Sequence, residues 1–463
     1  MSDGKQQRSS VDRIKTGSFE RRLSLTKAGL LAGTRLASSM AANLFSGKET
    51  REQKHRQALS REARFLVDQL GELKGSVVKI GQVMALYGEH FLPVEVTEAL
   101  HTLEDRTVAL DWPVIREVLV EQLGEARLAQ LEVDPVPIGA ASLGQVHRAK
   151  RKLDGRELCL KIQYPGVGAA IDSDIDAVAS LLKLARLVRV GPAFDEWLDE
   201  VRHMMHREVN YTLELETTQR FGDMLRADSR YIVPEVFPEF STRQVMATSY
   251  EPGLSVTDSE VLSLPQADRN ALAIAALELF LHELFDWAEL QTDPNFGNYR
   301  VRKTEAGIKL ILLDFGAVQK YPAQFIKPVC GMIRASYERD LPRVIDDAIQ
   351  LKFMKRDWPE NVLREFGEVC IAVLEPLARE REGLPESALN SLGQYRWKHS
   401  DLPTRIAKRA ARSAFNRYFQ IPPKEFVFLN RKLVGVYTFI SVLDAEFNGA
   451  PILERFLSHS AQD

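Results

Sequence analysis

Strand-like segments crowd into one stretch of this chain, and helical texture fills most of the rest. The strand candidates are "LGQVHRAK", "ELCLKIQY" and "RQVMATSY", all between residues 143 and 250. Ahead of them Leu66, Leu70, Leu73, Val77, Ile80 and Met84 recur at alternating steps of four and three. That spacing predicts an apolar seam on one helix packed against a neighbour, closed by Pro93. A second helical segment around Trp112 to Leu131 leads to "DPVPIG", where prolines disfavour helix. A long helical insertion follows between Ala169 and Arg226. After Gly253 the chain is helical again, broken by one strand-turn region from "LQTDPNFGNYRV" to "IKLILLDFG". Strands early and helices late predict an α+β protein of two lobes. The expected divisions are a basic, membrane-associating tail over 1–50, a helical segment over 51–130, a strand-rich lobe with a helical insertion over 131–252, and a helical lobe over 253–463.

The 463 residues, 45% hydrophobic and 27% charged, suffice for two or three units with ordinary globular cores. A net charge of −3 supplies no chain-wide basic field, so no nucleic-acid partner is expected. Cys159, Cys330 and Cys370 lie far apart and odd in number, which argues against a zinc knuckle or a disulfide scaffold and for a reducing compartment. No stretch approaches the roughly 18 uninterrupted apolar residues of a membrane-spanning helix. Met1 to Phe45 carries eight Lys or Arg against three acids, around the small-residue segment "LTKAGLLAGTRLASSMAANLF". A basic amphipathic helix on an anionic membrane surface, a transit peptide and a disordered tail all fit it. The later basic stretch Arg405 to Arg417 reads as a solvated helix face.

Four constellations carry chemistry. "GAASLGQVHRAK" places Gly139, Ala141, Gly144 and Val146 on the pattern of a loop that covers phosphates, with alanine at the central glycine position. Glycines there let backbone amides approach phosphate oxygens, and a methyl obstructs that approach. Fifteen residues after Val146, "LCLK" ends an apolar strand on Lys161. A lysine on a mostly buried strand needs a partner or ligand, and a kinase-type lysine binds α and β phosphates while a helical glutamate steadies it. Glu208, Glu214 and Glu216 are the candidates; on one helix, Glu208 and Glu214 would point about 120° apart and so would not serve one lysine together, and spacing does not choose between them. "LQTDPNFGNY" sets Asp293 and Asn298 five apart, as in a catalytic loop with a proton acceptor and an amide ligand for Mg²⁺. In "LLDFGAVQKY", Asp314 ends an aliphatic strand 16 residues after Asn298, which predicts a hairpin bringing both to one metal.

Gln291 and Thr292 stand where a protein kinase has His-Arg before the aspartate, and "LKGSVVKIGQVMAL" contains Lys79, Gly81 and Gln82 as Lys-x-Gly-Gln. Together these motifs resemble the UbiB family of atypical kinase-like proteins, also called AarF-domain-containing kinases. "QTDPNFGN" is similar to the branch tied to coenzyme Q biosynthesis. The resemblance covers roughly Leu66 to the "PPKEFVFLNRKLVGVY" region and implies a bilobal protein-kinase-like fold: a small β-rich N-lobe, a mainly helical C-lobe and a helical N-terminal extension. It implies that Lys79 and Gln82 lie on an extension covering the peptide-substrate site, with Glu208 paired to Lys79 and Glu214 to Lys161. Gly139, Ala140, Ala141 and Ser142 would form the nucleotide loop. Thr248 would back the adenine pocket, and Ser249, Tyr250 and Glu251 would line the hinge. Asp293 would be the catalytic aspartate, with Asn298 and Asp314 on the metal. Asn210 departs from the family's Glu-x-Asp, and Gly139 from its usual first alanine.

The resemblance implies ATP and Mg²⁺ as cofactors and an ATP-hydrolysing atypical kinase supporting ubiquinone biosynthesis at a membrane surface. Anionic lipid, and quinone-biosynthesis enzymes or lipid intermediates, are the implied partners. A catalytically silent nucleotide-binding scaffold and a small-molecule or lipid phosphotransferase are the alternatives. A bacterial cytoplasm facing the inner membrane and a mitochondrial matrix both suit the composition.

Overall fold

The computed structural model describes residues 48–73, 76–88, 92–101, 109–185, 187–188, 190–379, 384–414 and 424–459. The basic segment Met1 to Phe45, with the three readings given for it, lies outside the described residues. Two compact units are formed, one from the chain up to Glu216 with Glu235–Tyr250, the other from Thr217–Pro234 with Glu251 onward.

In the first unit the predicted seam is carried by two helices rather than one. These are α1 (Lys48–Leu73) and α2 (Ser76–Tyr87). Leu66, Leu70, Val77, Ile80 and Met84 are all buried along them, because their steps keep one apolar face across the break. Pro93 does not close the seam. Its carbonyl accepts from the amides of Val96 and Thr97, and it opens α3 (Val94–His101). The next helix, α4 (Trp112–Leu123), stops at Gly124, whose φ of 76° suits glycine.

Leu131 already belongs to a strand. The sheet has the order β1-β2-β3-β5, built from β1 (Leu131–Ala140), β2 (Gly144–Arg151), β3 (Glu157–Gln163) and β5 (Val245–Ser249), all antiparallel. The prolines of "DPVPIG" are tolerated because β1 is an edge strand whose register slips between Val133 and Gly139. At Gly144, where β2 begins, a Cβ would overlap the Ile162 carbonyl, so glycine permits the close approach of β2 to β3. The insertion is three helices, α5 (Val167–Leu184), α6 (Pro192–Glu208) and α7 (Tyr211–Leu225). One apolar core runs from Ala58 and Leu66 through Ile115 to Leu160, Ile171, Val201 and Ala247. The helices over 51–130 therefore share a core with the sheet.

The second unit is mainly helical. Its helices include α8 (Gln266–Leu281), α9 (Ala323–Tyr337), α10 (Leu341–Gln350), α11 (Glu360–Val373), α12 (Leu402–Ala414), α13 (Lys424–Val442) and α14 (Ala450–His459). The strand-turn region forms a sheet of order β4-β9-β8-β6, from β4 (Tyr231–Ile232), β6 (Leu254–Ser255), β8 (Tyr299–Thr304) and β9 (Gly307–Leu312). A two-stranded ribbon pairs β7 (Glu289–Gln291) with β10 (Val318–Lys320). The basic face on α12 is largely exposed over Arg405 to Arg409. No helix among the described residues is long and apolar enough to cross a membrane.

Candidate functional site

In the first unit, Lys161 projects from β3. Its Nζ lies 2.6 and 2.8 Å from the two carboxylate oxygens of Glu214 and 5.0 Å from the Tyr211 ring centroid. Glu214 is buried, 5% exposed, while Lys161 keeps about a third of its side chain open. The carboxylate is thus the buried member of the pair and the lysine the more open one. Glu216 is exposed. Glu208 and Glu214 are not on one helix: α6 ends at Glu208, and the Asn210 carbonyl accepts from the amides opening α7. The single helix assumed for the 120° separation is therefore broken, but its conclusion stands: the two glutamates serve different lysines. Glu208 meets Lys79 Nζ at 2.6 Å, and Gln82 lies one turn further along α2. Asn210 Oδ1 is buried with no hydrogen-bond partner among the described atoms.

Ala140 ends β1 and Gly144 begins β2, so Ala141 and Ser142 lie in their turn, closed by Ala141 N–H donating to the Gly144 carbonyl. Ser142 is buried and Ala141 exposed. A Cβ at Gly139 would meet nothing within 4 Å. At the hinge positions, Ser249 N–H donates to the Glu235 carbonyl and Tyr250 N–H to the Glu157 carbonyl. Both amides are thus engaged in the chain's own backbone pairing. Thr248 pairs with Cys159 on β3. Glu251, counted in the second unit, pairs with Arg302 at 2.7 Å.

In the second unit, β7 delivers Gln291 into the Asp293–Asn298 loop, which closes with a single 3-10 turn, Phe296–Asn298. Asn298 Nδ2 donates to the Asp293 carbonyl and carboxylate, each at 3.2 Å. With its nitrogen engaged, the amide oxygen of Asn298 is the atom suited to a cation. The expected hairpin is β8–β9. Tyr299 pairs with Leu312, and Leu313 N–H donates to the Asn298 carbonyl at 2.9 Å, so Asn298 and Asp314 stand at the same end of one ladder. Asp314 Oδ1 also accepts from Gly316 N–H at 2.9 Å. Thr292 ties the loop to the Asp-Phe-Gly segment, donating to the Ala317 carbonyl from its amide and its hydroxyl. Phe315 is buried against Phe221, ring centroids 4.8 Å apart.

Arg431, on α13, places Nη2 3.2 Å from Asp293 Oδ1. Sequence reasoning missed it. The motif "FLNRKLVGVY" served only to mark how far the resemblance runs, and a residue 138 positions from Asp293 has no spacing rule to tie it there. Among the described residues no three His, Cys, Asp or Glu side chains cluster as a metal cage. An amide oxygen and one carboxylate fit Mg²⁺, which takes few protein ligands and completes its shell with phosphate and water.

The ABC1 atypical kinase-like domain matches residues 102–348 of this chain. "Atypical kinase COQ8, mitochondrial" of Schizosaccharomyces pombe is 28% identical over 403 residues, covering 87% of this chain and 63% of that protein. The zebrafish "Atypical kinase COQ8B, mitochondrial" is 28% identical, covering 83% of this chain and 59% of that protein. The chain thus spans less than two thirds of these two relatives. Among solved structures, a complex of Rv3197 with erythromycin from Mycobacterium tuberculosis shares the fold, with a TM-score of 0.60 at 21% identity over 88% of this chain and 98% of that one. By its domain match, and in agreement with its UbiB-like motifs, this chain belongs to the ABC1 atypical kinase-like family.

Proposed function

We propose that this chain binds Mg-ATP and hydrolyses it, as an atypical kinase-like ATPase supporting ubiquinone biosynthesis at a membrane surface. The observation that carries this reading is the hold of both Glu214 oxygens on Lys161. A strand lysine steadied by a helical glutamate is how kinase-like chains aim an ammonium at α and β phosphates. Lys161 neutralises phosphate charge, the Gly139–Ser142 turn covers the phosphates, and Asp293 accepts the proton of the attacking water. Asn298 and Asp314 would hold the metal, which when bound neutralises charge building on the phosphate oxygens. Lys79 and Glu208 brace the helix that carries Lys79 and Gln82.

The quinone role and a mitochondrial setting are supported by the COQ8 and mitochondrial names of its relatives. Replacing Asp293 by Asn should abolish ATP turnover while leaving nucleotide affinity within a factor of about three of wild type. Unchanged turnover would remove Asp293 from catalysis. A nucleotide-binding scaffold is the second reading, and Arg431 favours it, since a guanidinium on the Asp293 carboxylate competes with the incoming proton. In a quinone-deficient host, rescue by Asp293→Asn but not by Lys161→Ala would select the scaffold.

A further inference from the structure

Beneath the Asp293–Asn298 loop lies a charged pair that none of these roles uses. Lys432, next to Arg431 on α13, is 2% exposed, and its Nζ sits 2.8 Å from an oxygen of the equally buried Glu283. Glu283 belongs to a π-helical turn, His282–Asp286, that widens the end of α8. Such turns recur where a helix has been locally reshaped for a site. The chain then passes through Ala288, at a φ of 50°, into β7.

The pair lies against both flanks of the loop. Glu283 stands on the turn that leads into β7, and Gln291 ends β7 two residues before Asp293. Lys432 lines one small cavity with Pro294, Phe296 and Tyr299, and Tyr299 directly follows Asn298. Burial works against the Lys432 charge, but Glu283 and Tyr299 outweigh it and hold the ammonium above its ordinary value. The same face of α13 continues under the loop. A Cβ at Gly435 would overlap Pro294, and Phe439 meets the rings of Phe296 and Tyr299 edge-on at 6.0 and 5.4 Å.

A buried ion pair is weak evidence of stabilisation, since well-packed apolar residues of similar volume do as well or better. Its distinctive property is that it fixes geometry. We infer that Lys432, with Glu283, is a positioning residue that holds Asp293 and Asn298 in register for metal and water. This rests on the Mg-ATP hydrolysis reading above.

The test uses the full chain in four forms: wild type, Lys432→Arg, Tyr299→Phe, and the charge-free double variant Lys432→Met with Glu283→Leu. Thermal midpoint, Mg-ATP affinity, kcat and the Mg²⁺ concentration for half-maximal rate are read on each. The double variant should melt close to wild type and bind nucleotide, yet lose kcat on the order of 10²-fold, the effect of moving reacting groups by about 1 Å. Its Mg²⁺ requirement should rise. Lys432→Arg should recover part of both losses, whereas a packing role would not restore kcat selectively. Tyr299→Phe removes one hydroxyl and should raise the Mg²⁺ requirement about threefold, so the inference stays exposed if the double variant does not fold. Wild-type kcat and Mg²⁺ dependence in the double variant, or in Tyr299→Phe should it alone fold, would overturn it and leave the hydrolysis reading standing. A wild-type chain that neither binds nor hydrolyses Mg-ATP would overturn both.

Discussion

Lys161 and Asp293 are held by different means. Lys161 is gripped by both carboxylate oxygens of Glu214, on a helix that lies between β3 and β5 in the chain. Asp293 sits on a loop braced by Asn298 within it, by Thr292 to the Asp-Phe-Gly segment, and by Arg431 from a distant helix. A pair such as the first is broken by a single substitution, and its loss falls on affinity and stability together. A loop braced at many points resists any one loss, and its failures fall on rate.

The sharpest way to test that contrast is to remove the reacting group of the loop itself. Asp293→Asn keeps the shape and should cost turnover by about 10²–10⁴-fold, with denaturant stability almost unmoved. A matching fall in stability would mean that the carboxylate is structural. Next comes Lys161→Ala, which takes the ammonium away from Glu214, itself 5% exposed. Breaking a fully buried pair costs about 3–5 kcal/mol; with Lys161 a third open to solvent, about 1–3 kcal/mol is expected. Adding Glu214→Gln should restore most of that stability in urea unfolding and none of the nucleotide affinity. Recovery of affinity would remove Lys161 from the phosphates.

A smaller effect concerns the strand that carries the turn. On β2, Gln145 bonds both the backbone of Leu110 and the His147 ring, and His147 Nδ1 reaches the Asp134 carbonyl at 2.7 Å. Burial pushes the His147 imidazole below its ordinary value of 6.5, against the pull of Asp134. The unfolded chain therefore takes up this proton more readily than the folded one. Stability is complete above pH 6.5 and falls as pH drops below it. His147→Gln should flatten that slope in denaturation curves taken from pH 7.5 to 5. The smallest effect is expected at Gly139→Ala. The open space there leaves stability within about 0.5 kcal/mol, so any change in nucleotide preference measures the methyl group alone.

The same contrast explains what the sequence made legible. Local chemistry was readable: the hairpin before Asp314, the lysine on β3 and the apolar seam through Leu66, Leu70, Val77 and Ile80 follow from period and spacing. β1 was not, because its prolines argued only against helix and gave no sign of the edge strand with register slips that tolerates them. The break between Glu208 and Glu214 was hidden because "REVNYTLELE" keeps helical texture through the turn at Asn210. Nor was the support of the Asp293 loop visible. Arg431, Lys432 and Gly435 act across well over a hundred residues, and only the folded chain relates a helix near the C-terminus to a loop at Asp293.

The most direct measurement is calorimetric titration of ATP into wild type, Lys161→Ala and Asp314→Asn, each with and without Mg²⁺. Wild type should bind only weakly without the metal. Lys161→Ala should lose affinity in both conditions, and Asp314→Asn should lose the Mg²⁺ enhancement while keeping metal-free binding. Equal affinity and equal Mg²⁺ enhancement across all three would contradict a magnesium-nucleotide site made from these residues.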